Sequence, residues 1–450
     1  MAVETRPAAT PDRSDAVNDA LERVERDGIR IVELQFSDIA GGARSMTVPA
    51  ALLPSILAHG YRFDGSAVTG GLREVELDLY LQPDPTTMTI FERTDNGARR
   101  AQFACSVRRR DGQPFAGDPR SVLERALAQA REVGFDYRVA IELEYYLFDA
   151  ERGPRSSDLA GYFGIGPAHA AVARDEIVET LQGMNIRVGA AHHETGPGQE
   201  ELDLLPEAAL RMADQVQTVR RVIRAVAARR GLRANFMPKP LTDAPGSGMH
   251  VFQRLKRVSD GGDAFRGNGD DLSPTARHAI GGQLAHAPAM AAVLCPSVNS
   301  FKRLSAGHRA PRHATWARLS QASLIRVPAW APAQESVVEL ELRSPDNMAN
   351  PYLALAAALI AALDGIAARE EPPPPLDENL VRYDDAELER LGVPRLPPTL
   401  GDALRAFADD ELIRDALGDY VCDQFLLVKR AEWDEYRRHV SPWEQARYGE

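Results

Sequence analysis

Cysteine is scarce. The 450-residue chain has three, Cys105, Cys295 and Cys422, too far apart to suggest pairing. That excludes a disulfide-stapled fold and points to a reducing compartment, with the thiols in the packing. Positive charge is also short: 53 Lys and Arg stand against 65 Asp and Glu, a formal net charge of −12. Binding to a nucleic-acid backbone is therefore not expected, and an anion would need a local basic or metal site. No stretch reads as the ~18 consecutive apolar residues of a membrane span. The start, MAVETRPAATPDRSD, lacks the apolar run of a signal peptide. Residues 1–15 read as a disordered tail, and the expected location is the cytoplasm, with no membrane partner.

What is present is globular composition, 44% hydrophobic and 26% charged, enough for one large domain or two ordinary ones. Helical periodicity runs over Ala16–Arg26, and Ile29–Phe36 alternates as a strand. Ala50–His59 reads as a short helix stopped by Gly60. Short strands and turns continue to about Val107, giving a small α+β unit. Asp118-Pro-Arg opens a helix to Val133. Amphipathic helices then alternate with strands expected at Arg138–Phe148, Val188–Glu194, Glu201–Leu205, Gly248–Leu255 and Val337–Arg343. A long Ala-rich helix, Ala349–Glu370, leads to the rigid spacer Pro372–Pro375.

These strands carry carboxylates at alternate positions. Glu142 and Glu144 in Ile-Glu-Leu-Glu-Tyr-Tyr share a strand face. Two adjacent carboxylates repel unless a cation lies between them. In residues 192–203, HHETGPGQEELD, the Gly-Pro-Gly turn would bring Glu194 near Glu201. In residues 239–250, KPLTDAPGSGMH, Gly246 and Gly248 let backbone amides approach an anion, and His250 opens a strand. Glu339, Glu341 and Arg343 alternate in Val-Val-Glu-Leu-Glu-Leu-Arg. Each segment alone reads equally as a solvated or ion-paired face. Together they bring carboxylates, one imidazole and arginines onto successive strands. That set suits Mg²⁺ or Mn²⁺ rather than structural zinc, and a two-metal site with arginines suits phosphoryl transfer.

The ordered segments Phe63-Asp64-Gly65-Ser66, Glu142-Leu-Glu144, His193-Glu194 with Gly198-Gln199-Glu200-Glu201, Lys239-Pro240 with Gly246-Ser247-Gly248-Met249-His250, Asn299-Ser-Phe-Lys-Arg303-Leu, Ile325-Arg326-Val-Pro328, and Glu341-Leu-Arg343-Ser-Pro345-Asp346 with Asn350-Pro351-Tyr352 resemble the type I glutamine synthetases. The resemblance runs from about Ile29 to the C-terminus. It implies an α+β fold, with an N-terminal β-grasp domain over 16–110 and, over 111–450, a catalytic domain whose antiparallel strands form a funnel flanked by helices. It implies a homo-oligomer of two stacked hexameric rings, a dodecamer, with active sites between subunits. Glu144, Glu194 and Glu201 would hold one metal near a glutamate-like acid. Glu142, His250 and Glu341 would hold a second on the phosphates of the cosubstrate ATP. Arg303 would bind the substrate α-carboxylate, with Gly246 lining that pocket. Arg326 and Arg343 would steady phosphate groups, Arg343 also serving the substrate. Ser247 would sit with His250 and Arg326 beside the nucleotide, and Asp64 of a neighbouring subunit would help receive a small amine. The implied reaction is ATP-dependent formation of a γ-glutamyl amide through an acyl phosphate.

The departures from the family pattern are informative. The segment that carries a glutamate in Gly-Tyr-Glu-Ala-Pro is Gly307-His308-Arg309-Ala310-Pro311 here, and the serine expected after Asp-Gly-Ser is Ala67. Arg309 cannot act as a base and repels a cation, so the expected acceptor is an amine other than ammonium: neutral, bulky, or carrying a carboxylate that Arg309 pairs. His308 is a candidate substitute base or an exposed loop residue. Ser320-Gln321-Ala322 lacks the family's arginine, and Glu339 replaces another, with Arg309 or Arg343 as its expected partner. Pro245, Phe252 and Arg254 replace an asparagine, a histidine and a serine. Val381 in Asn379-Leu-Val381 replaces the tyrosine that is nucleotidylated in regulated members, so that regulation is not expected. A plain glutamine synthetase and a non-catalytic homologue are the competing readings.

Overall fold

The computed structural model describes residues 13–69, 77–92, 99–151, 153, 158, 160–268, 271–306, 309–329, 337–377, 383, 385–390 and 392–449. Residues 1–12, Gly307, His308 and 379–381, where a tail, a substitute base and a missing regulatory tyrosine were read, lie outside them. The chain divides into two compact units, one of residues up to 38 with 42–121, the other of 39–41 with 122–450.

In the first unit the helix Arg13–Arg26 starts earlier than its periodicity suggested and buries Ala16, Ala20 and Val24, which lie four apart on one face. Arg13, Ser14 and Asp15 are thus helical. Six strands follow: β1 (Ile31–Ser37), β2 (Ala43–Pro49), β3 (Tyr61–Asp64), β4 (Asp78–Pro83), β5 (Thr89–Glu92) and β6 (Arg99–Arg108). They form a sheet in the order β2-β1-β6-β4-β3, with β5 also on β6. β1 runs parallel to β6, whereas β2 returns antiparallel along β1. The helix Leu53–His59 ends at Gly60, whose φ of 74° is a conformation glycine adopts without strain.

The second unit is built on β7 (Phe135–Asp149), β8 (Val188–His193), β9 (Gln199–Ala208), β10 (Leu232–Asn235), β11 (Met249–Arg257), β12 (Trp316–Ala317), β13 (Ile325–Arg326) and β14 (Leu340–Leu342). Their order is β12-β13-β14-β11-β7-β9-β8, with β10 also on β7. Among these strands only β12 and β13 pair in parallel. Along β7 the positions Val139, Ile141 and Leu143 are buried, while Arg138, Ala140 and Glu142 between them are partly open, the alternation of a sheet with one apolar face. The long helix Ala209–Arg229 packs on that sheet and buries Val216, Val219, Ile223 and Val226. β14 is much shorter than the strand expected over Val337–Arg343.

The helix Pro351–Ala368 corrects the expectation that no segment has span-like length and apolarity. It has 18 residues and a mean hydropathy of 1.8, but it is 72% buried. It is a core helix. Asn350 caps it, its Oδ1 accepting from the Tyr352 amide at 3.0 Å. Arg369, in the left-handed conformation, ends it ahead of the proline spacer. Gly282 allows close contact with it, since a Cβ there would meet the Ala361 carbonyl and Gly365.

Candidate active site

The register of the sheet brings the carboxylates together. His250 on β11 lies opposite Glu142 on β7, Glu201 and Asp203 on β9 lie opposite Glu144 and Glu142, and Glu341 on β14 lies opposite Phe252. A one-residue slip in any pairing would turn these side chains to the other face. Between β8 and β9 the Gly-Pro-Gly turn closes as its residues suggested. Gly198 has φ 75°, and the Glu194 amide donates to the Gln199 carbonyl at 2.7 Å.

Ligand atoms of Glu144, Glu194 and Glu201 lie within 4.8 Å of one another, as do those of Glu142, His250 and Glu341, and those of Glu142, Glu201 and Asp203. His250 Nδ1 is 3.3 Å from Glu142 and 3.8 Å from Glu341, and its Nε2 is 3.9 Å from Glu144. The Gly248 amide donates to Glu144 Oε2 at 2.8 Å. The six residues picked out as metal ligands therefore converge. Asp203 also belongs to the cluster and was not singled out, although its position two residues after Glu201 was the available signal.

The electrostatics of this cluster favour a cation. Burial, then the charges of Glu144, Glu142, Asp203 and Glu194, raises Glu201 to about 10. Burial, with Glu341 and Asp203, raises Glu142 to about 8 against the opposing effect of Arg343. Burial also raises Asp203, whose buried Oδ1 has no hydrogen-bond partner among the described residues. Burial and then Arg343, Arg303 and Arg326 hold His250 well below its ordinary value, which leaves a neutral imidazole with a lone pair to donate. Crowded carboxylates with one neutral imidazole suit hard divalent cations.

The arginines surround this cluster. Glu341 is fully buried and accepts from both Arg326 and Arg343. Arg343 Nε donates to the Gln321 carbonyl at 3.0 Å, so the residue in place of the missing arginine contributes through its backbone. Arg303 is buried. Its Nη1 donates to the Ser344 carbonyl at 2.8 Å and its Nη2 to the Arg343 carbonyl at 3.0 Å, and Nη2 lies 3.5 Å from His250. Ser247 has no exposed surface, and its Oγ accepts from Gln199 Nε2 at 3.3 Å. Asp64 lies in the first unit at the end of β3, where its Oδ1 accepts the amides of Ser66 and Leu77 at 3.0 and 3.2 Å.

Glu339 pairs with neither Arg309 nor Arg343. Its Oε1 accepts from Arg254 Nε at 2.7 Å and Nη2 at 2.6 Å. The reason is geometric: Gln253 is paired with Leu340, so the next residues outward, Arg254 and Glu339, are cross-strand neighbours, while Arg343 is taken by Glu341. Arg309 is exposed and donates from Nη1 to Thr195 Oγ1 at 2.9 Å. Thr195 in turn donates its amide to Glu194.

Gly246 is a tight point. An added Cβ would lie 2.6 Å from the Pro238 carbonyl oxygen and 2.7 Å from Arg303 Cγ. Gly246→Ala is expected to force Arg303 to shift and to lower stability by about 1–3 kcal/mol. A denaturant melt checks this, and an unchanged midpoint would show that the contact gives way without cost.

The sequence matches the family described as glutamine synthetase, beta-Grasp domain, over residues 28–110, and that described as glutamine synthetase, catalytic domain, over residues 116–448. It is 39% identical over 453 residues to a glutamine synthetase of Halobacterium salinarum, covering 99% of this chain and 98% of that one. It is 38% identical over 445 residues to one from Staphylococcus epidermidis, covering 97% and 99%. A solved structure of a GmaS/ADP complex superposes with a TM-score of 0.84 at 29% identity, covering 96% of this chain and 99% of that chain. Apo GmaS without ligand gives 0.82 at 30%, covering 95% and 98%. The chain therefore belongs to the glutamine synthetase family and is an ATP-dependent ligase that forms carbon–nitrogen bonds.

Proposed function

We propose that this enzyme joins the side-chain carboxylate of glutamate, or a close analogue, to an amine other than ammonium. The observation that carries the reading is Arg309. It stands where the family places a glutamate, and its guanidinium is held on Thr195 at 2.9 Å, one residue from Glu194. A fixed positive charge there disfavours ammonium and cannot take its proton. Ala67 in place of a serine agrees with this.

In this reading Glu144, Glu194 and Glu201 hold one divalent ion and Glu142, His250 and Glu341 a second, both Mg²⁺ or Mn²⁺, with Asp203 bridging the two groups. Bound ions supply charge neutralisation for the triphosphate and the transferring phosphoryl group. Arg303 binds the α-carboxylate beside Gly246. Arg326 and Arg343, aligned by Glu341, face the phosphate groups, with Ser247 and His250 beside the nucleotide. The side-chain carboxylate attacks the γ-phosphorus and ADP leaves, giving an acyl phosphate. The neutral amine then attacks the acyl carbon, phosphate departs, and the amine proton is lost. Asp64 of a neighbouring subunit receives the amine, in a dodecamer of two hexameric rings. The three buried, free thiols agree with a reducing, cytoplasmic location.

The competing reading, ammonia as acceptor, draws on the relatives named glutamine synthetase at 38–39% identity. Amine-dependent phosphate release from ATP, with product mass measured, separates the two. The expectation is a kcat/KM for the best amine at least about tenfold above that for ammonium. In addition, Arg309→Glu, which restores the family's residue, is expected to raise ammonium turnover. Preference for ammonium in the unmodified enzyme would overturn the proposal.

A further inference from the structure

On the other face of the sheet from the carboxylates lies a cavity of about 650 Å³. Arg266, Arg277, Arg318, Trp316, Asn268 and Asp271 line it. Register fixes its side. Trp316 pairs with Ile325 and Ile325 with Leu342, whereas Arg326 pairs with Glu341. Paired residues share a face and successive residues alternate. The Trp316 indole therefore points away from Glu341 and Arg326.

The walls of the cavity are held in place. Trp316 Nε1 donates to the Pro373 carbonyl at 2.6 Å. The amides of Arg318 and Leu319 donate to Asp377 Oδ1 at 2.6 and 2.7 Å. Arg277 Nη1 donates to the Leu272 carbonyl at 3.1 Å, and its Nε to Glu371 Oε2 at 3.1 Å. Arg266 is exposed and makes no ion pair with the described residues. In a chain of formal net charge −12, three guanidiniums against the one carboxylate of Asp271 line this space. A cleft with that excess concentrates anions. A phosphate monoester is close to a dianion at neutral pH and offers three acceptor oxygens, which guanidiniums match in geometry. The volume is that of a small-molecule site, more than a bare phosphate ion needs, and the indole supplies an apolar wall.

We propose that this cavity binds a phosphate monoester with an organic body, apart from the nucleotide site, and that its occupancy alters turnover. The phosphate oxygens pair with Arg266, Arg277 and Arg318, and the organic part lies against Trp316. The link to the active site is short. Ser320 and Gln321 follow soon after Arg318, and the Gln321 carbonyl accepts from Arg343 Nε at 3.0 Å. An anion that draws Arg318 toward the cavity shifts the segment that supports Arg343. Binding stands on the cavity alone, whereas the effect on turnover rests on the reading above that Arg343 faces the phosphate groups.

The test is titration of the full-length enzyme with phenyl phosphate, glucose 6-phosphate and inorganic phosphate, with phenol as a neutral counterpart. Mg²⁺ and a non-hydrolysable ATP analogue are kept saturating, so that the triphosphate site is filled. Calorimetry and tryptophan emission are both read. The expectation is one phenyl phosphate bound per chain, with a change in emission that Trp316→Phe abolishes while calorimetric binding persists. Arg266→Gln and Arg318→Gln are each expected to weaken binding about tenfold. In a separate assay of amine-dependent phosphate release, phenyl phosphate is expected to change kcat about twofold or more, and Arg318→Gln to remove that change. No binding, equal binding of phenol, or binding that both arginine variants leave intact overturns the site. Tighter binding of inorganic phosphate than of either monoester overturns the organic ligand class. Binding with kcat unmoved overturns the effect on turnover. An enzyme that releases no phosphate with any amine overturns the amine-ligase reading, and the titration still decides the site.

Discussion

Divalent cations are expected to raise the Tm of the metal-free protein, and to raise it more at pH 8–9 than at pH 6. Glu142 is raised to about 8 and Glu201 to about 10 by burial and by their acidic neighbours. In the unfolded chain each loses its proton near the ordinary carboxylate value of about 4.3. Above that value the folded protein holds more protons than the unfolded one, so stability falls as pH rises, through about 8 for Glu142 and about 10 for Glu201. Below the unfolded value the effect is absent. A bound cation takes the place of those protons, so its binding releases them and strengthens with pH. At a hundredfold excess over Kd the gain is about 2.7 kcal/mol. Differential scanning calorimetry of chelator-treated protein at several pH values, with and without Mg²⁺ or Mn²⁺, reads this directly. A Tm indifferent to both pH and metal would mean that the three carboxylate groups do not act as a cation site.

Glu341→Ala is expected to lower both stability and turnover. Glu341 is fully buried and is the shared acceptor of Arg326 and Arg343, besides lying 3.8 Å from His250. Removing its carboxylate takes from two guanidiniums the buried acceptor they share, at a cost of about 3–5 kcal/mol for a fully buried pair and less here because Arg326 is partly exposed. The same change frees the two arginines proposed to face the phosphates, so kcat is expected to fall by about 10²–10³, the range seen when one positioned charge-stabilising group is lost. Glu341→Gln keeps the shape and one acceptor oxygen. It should recover part of the stability while leaving turnover low. Denaturant melts beside single-turnover phosphate release separate the two effects, and a Glu341→Ala variant with unaltered Tm would show the pairing to be unimportant.

Much of this was legible in the chain. The Gly-Pro-Gly turn, the stop at Gly60 and the alternation along β7 are local properties, set by φ preferences and by the two-residue period of a strand. The order of segments around Glu142, Glu194, His250 and Glu341 pointed to the family that the comparisons establish. The helix Pro351–Ala368 was also visible as a helix. That its apolar surface is buried in the second unit rather than available to a membrane became visible only in the fold.

Asp203 was passed over because its neighbour Glu201 already satisfied the expected pattern. Only the pairing of Asp203 with Glu142 across β7 and β9 marks it as part of the cluster. Glu339 was assigned the wrong partner because nothing in the sequence says that β11 and β14 align Gln253 with Leu340. Tyr162, Phe163 and Thr195 carried no signal until His192 and Arg309 were brought beside them.

By itself, then, the sequence determined the chemical inventory, the local elements and the family: an acidic, thiol-poor chain with carboxylates and one histidine spaced for strands. The tertiary structure alone decided which of those groups meet, that Arg254 and not Arg309 neutralises Glu339, and that Tyr162, Phe163 and His192 gather beside Arg309. Side-chain spacing along one strand is encoded within a few residues. Register between strands far apart in the chain is set by the packing of the whole unit, and it is register that turns spaced carboxylates into a site.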